Sequence, residues 1–209
     1  HETLKGGFME LLVFFIGILV GLFINYCIYR IFRKQNIITK FLPCSNCKVN
    51  FKLYNIGISG YCSGKIDYIY LVVILLSGIL FMLLFDKFEF NIDFFIYGFL
   101  ISLLIIVAFI DMKLQIIPDI IVLIIFIGAV AHEIWKLIKY KSFVDILDNI
   151  LGLFTAGILF ILVFVFSKGG IGGGDVKLIS VLGFILGIPK IFLCIFLSFL
   201  LGAIVSIFL

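Results

Sequence analysis

Charge is scarce in this chain: only 13% of its 209 residues are Asp, Glu, Lys or Arg. Soluble domains carry roughly twice that share, which excludes an ordinary water-soluble globular protein. Histidine is nearly absent. Only His1 and His132 occur, so no Ser–His–Asp relay can be assembled from one side of a membrane. No segment repeats at a fixed period. No glycine-rich turn follows a strand pattern in the manner of a dinucleotide site. The first apolar run ends in Tyr29-Arg30 without a small-residue cleavage site, which argues against a signal peptide.

What is abundant is apolar surface. Hydrophobic residues make up 64% of the chain, more than one small domain can hide in water. Several runs approach the ~20 residues that cross a bilayer. The expected fold is all-α, a polytopic transmembrane helical bundle with a basic cytoplasmic loop after the first span. Spans are expected near 9–29, 68–85, 92–110, 116–134, 146–166, 176–188 and 190–209. The resulting organisation is 9–30 as first span, 31–67 as loop and 68–209 as a core of about six spans. Residues 1–8 read as a remnant ahead of a natural start at Met9. Leu209 falls inside an apolar run, so a natural C-terminus is expected beyond it. The net charge of +4 fits loops facing anionic membrane lipids, with no nucleic-acid partner.

Lys and Arg set the orientation. The loop after the first span holds Arg30, Arg33, Lys34, Lys40, Lys48, Lys52 and Lys65 and is expected in the cytoplasm. Alternation then brings Asp111 and the glycine-rich stretch 169–174 to that same side. Lys136, Lys139 and Lys141 fall outside, against the rule.

The stretch from Gly169 to Lys177 holds five of the chain's 20 glycines, followed by Asp175. Glycine lets another chain lie close, and a carboxylate at membrane depth marks a functional site by default. The bland alternative is a linker with one solvated acid. Asp111 closes the third span, and its bland alternative is an interfacial acid paired with Lys113. Asp119, beside Pro118, reads as a capping acid at a helix start. Asn25 lies one turn from Gly21 on the same helix face, which fits helix packing through an amide bond; contact with a substrate helix is the functional alternative. Two carboxylates brought close share a proton, so one activates a water while the other protonates the leaving group. The dipole argument makes Asp175, at a helix start, the base and Asp111, at a helix end, the acid. Lys177 does not face Asp175 at this spacing and is expected to reach headgroups or substrate.

These motifs resemble those of bacterial type IV prepilin peptidases. Gly172-x-Gly174-Asp175-x-Lys177 and Asp111 with Pro118-Asp119 are similar to the family's two active-site motifs. Gly21-Leu22-Phe23-Ile24-Asn25-Tyr26-Cys27-Ile28-Tyr29-Arg30 is similar to its first-span block, with Leu22 for Ser. Cys44-Ser45-Asn46-Cys47 follows in the family's order. The resemblance implies a multi-pass aspartyl peptidase of the bacterial inner membrane. It would remove the basic leader from prepilins and pseudopilins at the cytoplasmic face, with Asp111 and Asp175 as the catalytic pair and Gly172, Gly174 and Lys177 completing the motif. Its partners would be those substrates' N-terminal helices and membrane lipids. Proteolysis would need no cofactor, and methylation of the new N-terminus would use S-adenosylmethionine.

The chain departs from the family in two further places. Lys65 stands where a fourth loop cysteine is common, leaving Cys44, Cys47 and Cys62 as a candidate zinc site, with Asp67 or water to complete the tetrahedron. Ile74 stands where bifunctional members carry glutamate. A reading from another class is a transporter that uses Asp111 and Asp175 for protons or ions.

Overall fold

The structure, a computed structural model, describes residues 2–32, 68–140, 143–167 and 172–208. Every regular element among them is an α-helix: α1 (Glu2–Phe32), α2 (Tyr68–Phe88), α3 (Ile92–Leu114), α4 (Asp119–Tyr140), α5 (Phe143–Phe166), α6 (Gly173–Leu186) and α7 (Ile188–Phe208). Five are long and apolar enough to cross a bilayer, over Met9–Ile28, Tyr70–Phe88, Ile92–Leu114, Asp119–Lys139 and Ile146–Phe166. The chain is a polytopic helical membrane protein. The cysteines Cys44, Cys47 and Cys62, proposed as zinc ligands, lie outside the described residues.

Two compact units divide the chain, His1–Gln115 and Ile116–Leu209. In the first, small residues draw α1 against α2. A Cβ on Gly17 would stand 2.8 Å from the Gly78 Cα, and one on Gly21 would strike the Ser77 hydroxyl. That hydroxyl is fully buried and donates toward the carbonyls of Gly17 and Ile74, each at 2.9 Å. In hydrocarbon, where lipid is as apolar as leucine, such close approach and interhelical hydrogen bonding replace the hydrophobic drive. Val13, Phe81, Leu84 and Phe94 form the core behind this seam. Phe81 and Phe94 meet edge to face at 6.0 Å, the geometry that ring quadrupoles favour.

In the second unit, α5 and α6 meet at Gly152 and Gly183, where an added Cβ on either would strike the other's carbonyl. Ala156, Ile191 and Ile195 form the core beside them. Helix α6 has 14 residues, about 21 Å at 1.5 Å per residue. That is short of the ~30 Å hydrocarbon core, so the sixth expected span is a helix of about two thirds of that length. Gly187 ends it at φ 73, ψ 174, backbone space held almost only by glycine. Pro189 then enters the first turn of α7, where a missing N–H costs nothing.

Several boundaries differ from expectation. Helix α1 runs back through residues 2–8. Helix α4 starts at Asp119, three residues after the expected edge at 116. Proline disfavours helical backbone in the residue before it, and the Pro118 carbonyl accepts the first helical bonds, from Ile121 and Val122 at 3.0 and 3.4 Å. Pro118 thus stands at the cap and Asp119 in the first turn.

Candidate active site

Asp175 sits in the first turn of α6. The helix starts here because Asp175 and Gly172 cap each other. The Gly172 N–H donates to Asp175 Oδ2 at 3.1 Å, and the Asp175 N–H donates to the Gly172 carbonyl at 3.1 Å. A carboxylate at the third helical position that reaches back to the cap amide is half of a capping box. The helix dipole favours negative charge at that end.

The neighbouring glycines have unequal reasons to be there. A Cβ on Gly174 would stand 2.9 Å from the Ile117 Cβ; one on Gly172 would stand 3.2 Å from Asp175 Oδ2; one on Gly173 would meet nothing within 4 Å. Gly174 and Gly172 therefore set where the acid sits. Ile171 and the glycines before it lie outside the described residues.

Lys177 does not pair with Asp175. Its Nζ lies 2.8 Å from Asp119 Oδ1 in the first turn of α4, tying the starts of α4 and α6 together. Asp119 was expected only as a capping acid, so this partnership is the main functional feature that sequence reasoning missed. Opposite charges opening two helices assigned to the same membrane side were the available signal. Beside the pair lies an open groove of about 370 Å³, its apolar wall including Val122, Leu123, Phe126 and Val181.

Asp111 belongs to the first unit and occupies the last turn of α3, half-buried. Its carbonyl accepts the Gln115 N–H at 2.8 Å, and Gln115 closes the helix in the left-handed conformation at φ 53. Lys113, weighed above as the partner of Asp111, has its ammonium 5.3 Å from the centre of the Tyr70 ring. Asn25, 2% exposed, donates from Nδ2 to the Tyr70 carbonyl at 3.0 Å, so it packs α1 against the start of α2. Its Oδ1 is buried without a partner among the described residues. Among those residues no group of three or more His, Cys, Asp or Glu side chains could hold a metal.

The helices and their acids at helix ends define a multi-pass α-helical membrane protein with candidate carboxylate chemistry at the interface. Comparison with known proteins narrows this. Residues 98–207 match the type IV leader peptidase family, and residues 15–88 match the bacterial peptidase A24 N-terminal domain. The prepilin leader peptidase/N-methyltransferase of Bacillus subtilis (strain 168) is 31% identical over 205 residues, covering 92% of this chain and 79% of the relative. The protein of the same name from Neisseria gonorrhoeae is 30% identical, with the same coverages. No solved structure matches. The chain belongs to the type IV leader peptidase family and is a peptidase.

Proposed function

We propose that the chain cleaves the leader from type IV prepilins and pseudopilins at the cytoplasmic face of the bacterial inner membrane, by two-aspartate activation of water with Asp111 and Asp175 as the acids. The observation that carries this reading is the mutual cap of Gly172 and Asp175 in a chain of leader-peptidase family. Oδ2 is engaged by the Gly172 amide, which orients the carboxyl and leaves Oδ1 for the attacking water. Asp111 supplies the second carboxyl; the basic loop after the first span, carried forward by alternation of the spans, supports placing it on the same side as Asp175. One carboxyl takes the water's proton as it attacks the scissile carbonyl; the other protonates the departing amine. The transporter reading gains nothing from these relatives.

Both relatives are named N-methyltransferases as well as peptidases, and such transfer would draw on S-adenosylmethionine. One residue speaks against that activity, through the family resemblance alone. Ile74, where the family's bifunctional members carry glutamate, packs into the α1–α2 seam with its Cα against Gly21. We assign no methyl-transfer step to this chain. The test is cleavage of a prepilin-like peptide by the detergent-purified protein, with Asp111→Asn and Asp175→Asn as controls. Loss in both supports the pair. Retention in either removes that residue from the mechanism.

A further inference from the structure

We propose that a cavity at the far end of the first unit from Asp111 holds a phospholipid whose headgroup carries an ammonium, with carboxylates taking the charge and phenyl rings the carbon around it. The cavity, about 660 Å³, is walled by Phe85, Phe88 and Phe90 and has Glu10, Asp86 and Glu89 among its lining residues. That volume lies within the ~300–1,000 Å³ usual for small-molecule sites. Helix α3 starts beside it and ends at Leu114 after 23 residues, about 35 Å at 1.5 Å per residue. The cavity and Asp111 therefore face opposite membrane surfaces.

Three helix ends shape the cavity. Helix α2 closes where Glu89 turns left-handed at φ 49, and the Glu89 N–H donates to the Phe85 carbonyl at 2.8 Å. Just beyond, the Asn91 side chain accepts the Ile92 N–H at 2.9 Å and starts α3. So short a link holds Asp86, Glu89 and Phe90 in fixed places. The Phe85 and Phe90 rings lie 4.8 Å apart, and Phe94, buried behind them in the core, meets both edge to face. The phenyl wall is thus built on the packed interior of the unit.

Charge selects the headgroup. The lining holds three carboxylates and no Lys or Arg. The adjacent ammonium of Lys87 is turned onto the Phe88 ring, 5.4 Å from its centre. An incoming ammonium gains from the carboxylates and from ring faces together, whereas a headgroup with no cation meets only like charge. Position selects a lipid over a soluble amine. The apolar spans Met9–Ile28, Tyr70–Phe88 and Ile92–Leu114 each begin or end at the cavity, which puts it at headgroup depth. Met9, 37% exposed, and Phe90, 47% exposed, leave apolar surface at its edge for the first acyl carbons. Occupancy of this cavity is independent of which acids are catalytic.

The experiment offers the full chain, in a neutral maltoside detergent, equal amounts of dioleoyl-phosphatidylethanolamine and dioleoyl-phosphatidylglycerol. Bound lipid is counted by native mass spectrometry. The parent is expected to retain the ethanolamine lipid about tenfold over the glycerol lipid, the scale of one charged hydrogen bond. Asp86→Asn combined with Glu89→Gln should bring that ratio close to one, and Glu89→Lys, a single change at an exposed position, should invert it. Without lipid both should melt as the parent does; with the ethanolamine lipid only the parent should gain melting temperature. Phe90→Ala, which removes a ring from the wall, should also lower retention of the ethanolamine lipid. Equal retention of the two lipids by the parent overturns the proposal, as does a preference that survives both charge variants. Full displacement by free ethanolamine would make the occupant a soluble amine, and retention that follows protein concentration would make it a second copy. Either result overturns the lipid assignment.

Discussion

A Cβ placed on Gly174 would stand 2.9 Å from the Cβ of Ile117, closer than two carbons pack. Ile117 cannot easily yield, because Pro118 holds it extended and its branched side chain is stiff at χ1. The start of α6 would have to move, carrying Asp175 with it. Gly174→Ala is therefore expected to lower the rate of leader cleavage by ~10²-fold, the scale of an ångström of misplacement. Gly173→Ala, with open space around it, is expected to stay within about twofold, as surface changes do. Initial rates on one prepilin peptide check this. Equal losses at the two positions would show that the motif needs flexibility and not clearance.

Gly187 offers a separate test on stability. Its φ of 73 and ψ of 174 suit glycine alone, and an added Cβ would strike the Asp148 carboxyl. Gly187→Ala is expected to destabilise by about 1–3 kcal/mol, visible as a lower melting temperature in detergent. An unchanged melting temperature would mean that the α6–α7 link relaxes without cost.

The helices were legible because apolar length in a bilayer leaves the backbone little choice but to bond within its own segment. The G-x-G-D turn was legible because its glycines and its acid are adjacent in sequence. Contacts across sequence were not. Lys177 and Asp119 are 58 residues apart, and nothing local told Lys177 that its partner opens another helix. Asn25 donates to the Tyr70 backbone carbonyl, an acceptor that no side-chain pattern records. The shortness of α6 was legible in the expected span 176–188, but its start at Gly173 and the backbone turn at Gly187 that ends it were not.

The α1–α2 seam separates steric fit from hydrogen bonding. Ser77→Ala removes the buried hydroxyl's bonds to Gly17 and Ile74 but frees space. Interhelical hydrogen bonds in membranes average about 0.6 kcal/mol, so a small loss is expected. Gly21→Ala drives a methyl into the Ser77 hydroxyl and the Ile74 backbone, and overpacking of this kind costs roughly 1–3 kcal/mol. Denaturant titration of both variants in mixed micelles should rank Gly21→Ala as clearly worse. The reverse order would make the hydroxyl, not close approach, the main tie between these helices.

The last prediction concerns the two acids. Asp175 keeps its place through Oδ2, which accepts the Gly172 amide. An asparagine there can still accept that bond through its own Oδ1, so the α6 start should survive Asp175→Asn and the variant should melt as the parent does. What the amide cannot do is take a proton from water. Asp111 contributes only its backbone carbonyl to closing α3, through Gln115, so Asp111→Asn should leave the helix end intact as well. Cleavage should nevertheless fall by 10²-fold or more in each, the contribution typical of a positioned acid or base being about 10²–10⁴. The double variant should lose little beyond either single one, because two groups that act as a unit are not additive. Glutamate at either place keeps the chemistry but moves it by a methylene, and about 10²-fold is expected there too. Rates are to be measured alongside melting temperatures for all five variants. Losses of rate that track losses of stability would reduce the acids to structural parts. Losses of rate at unchanged stability, saturating in the double variant, are the signature of a working pair.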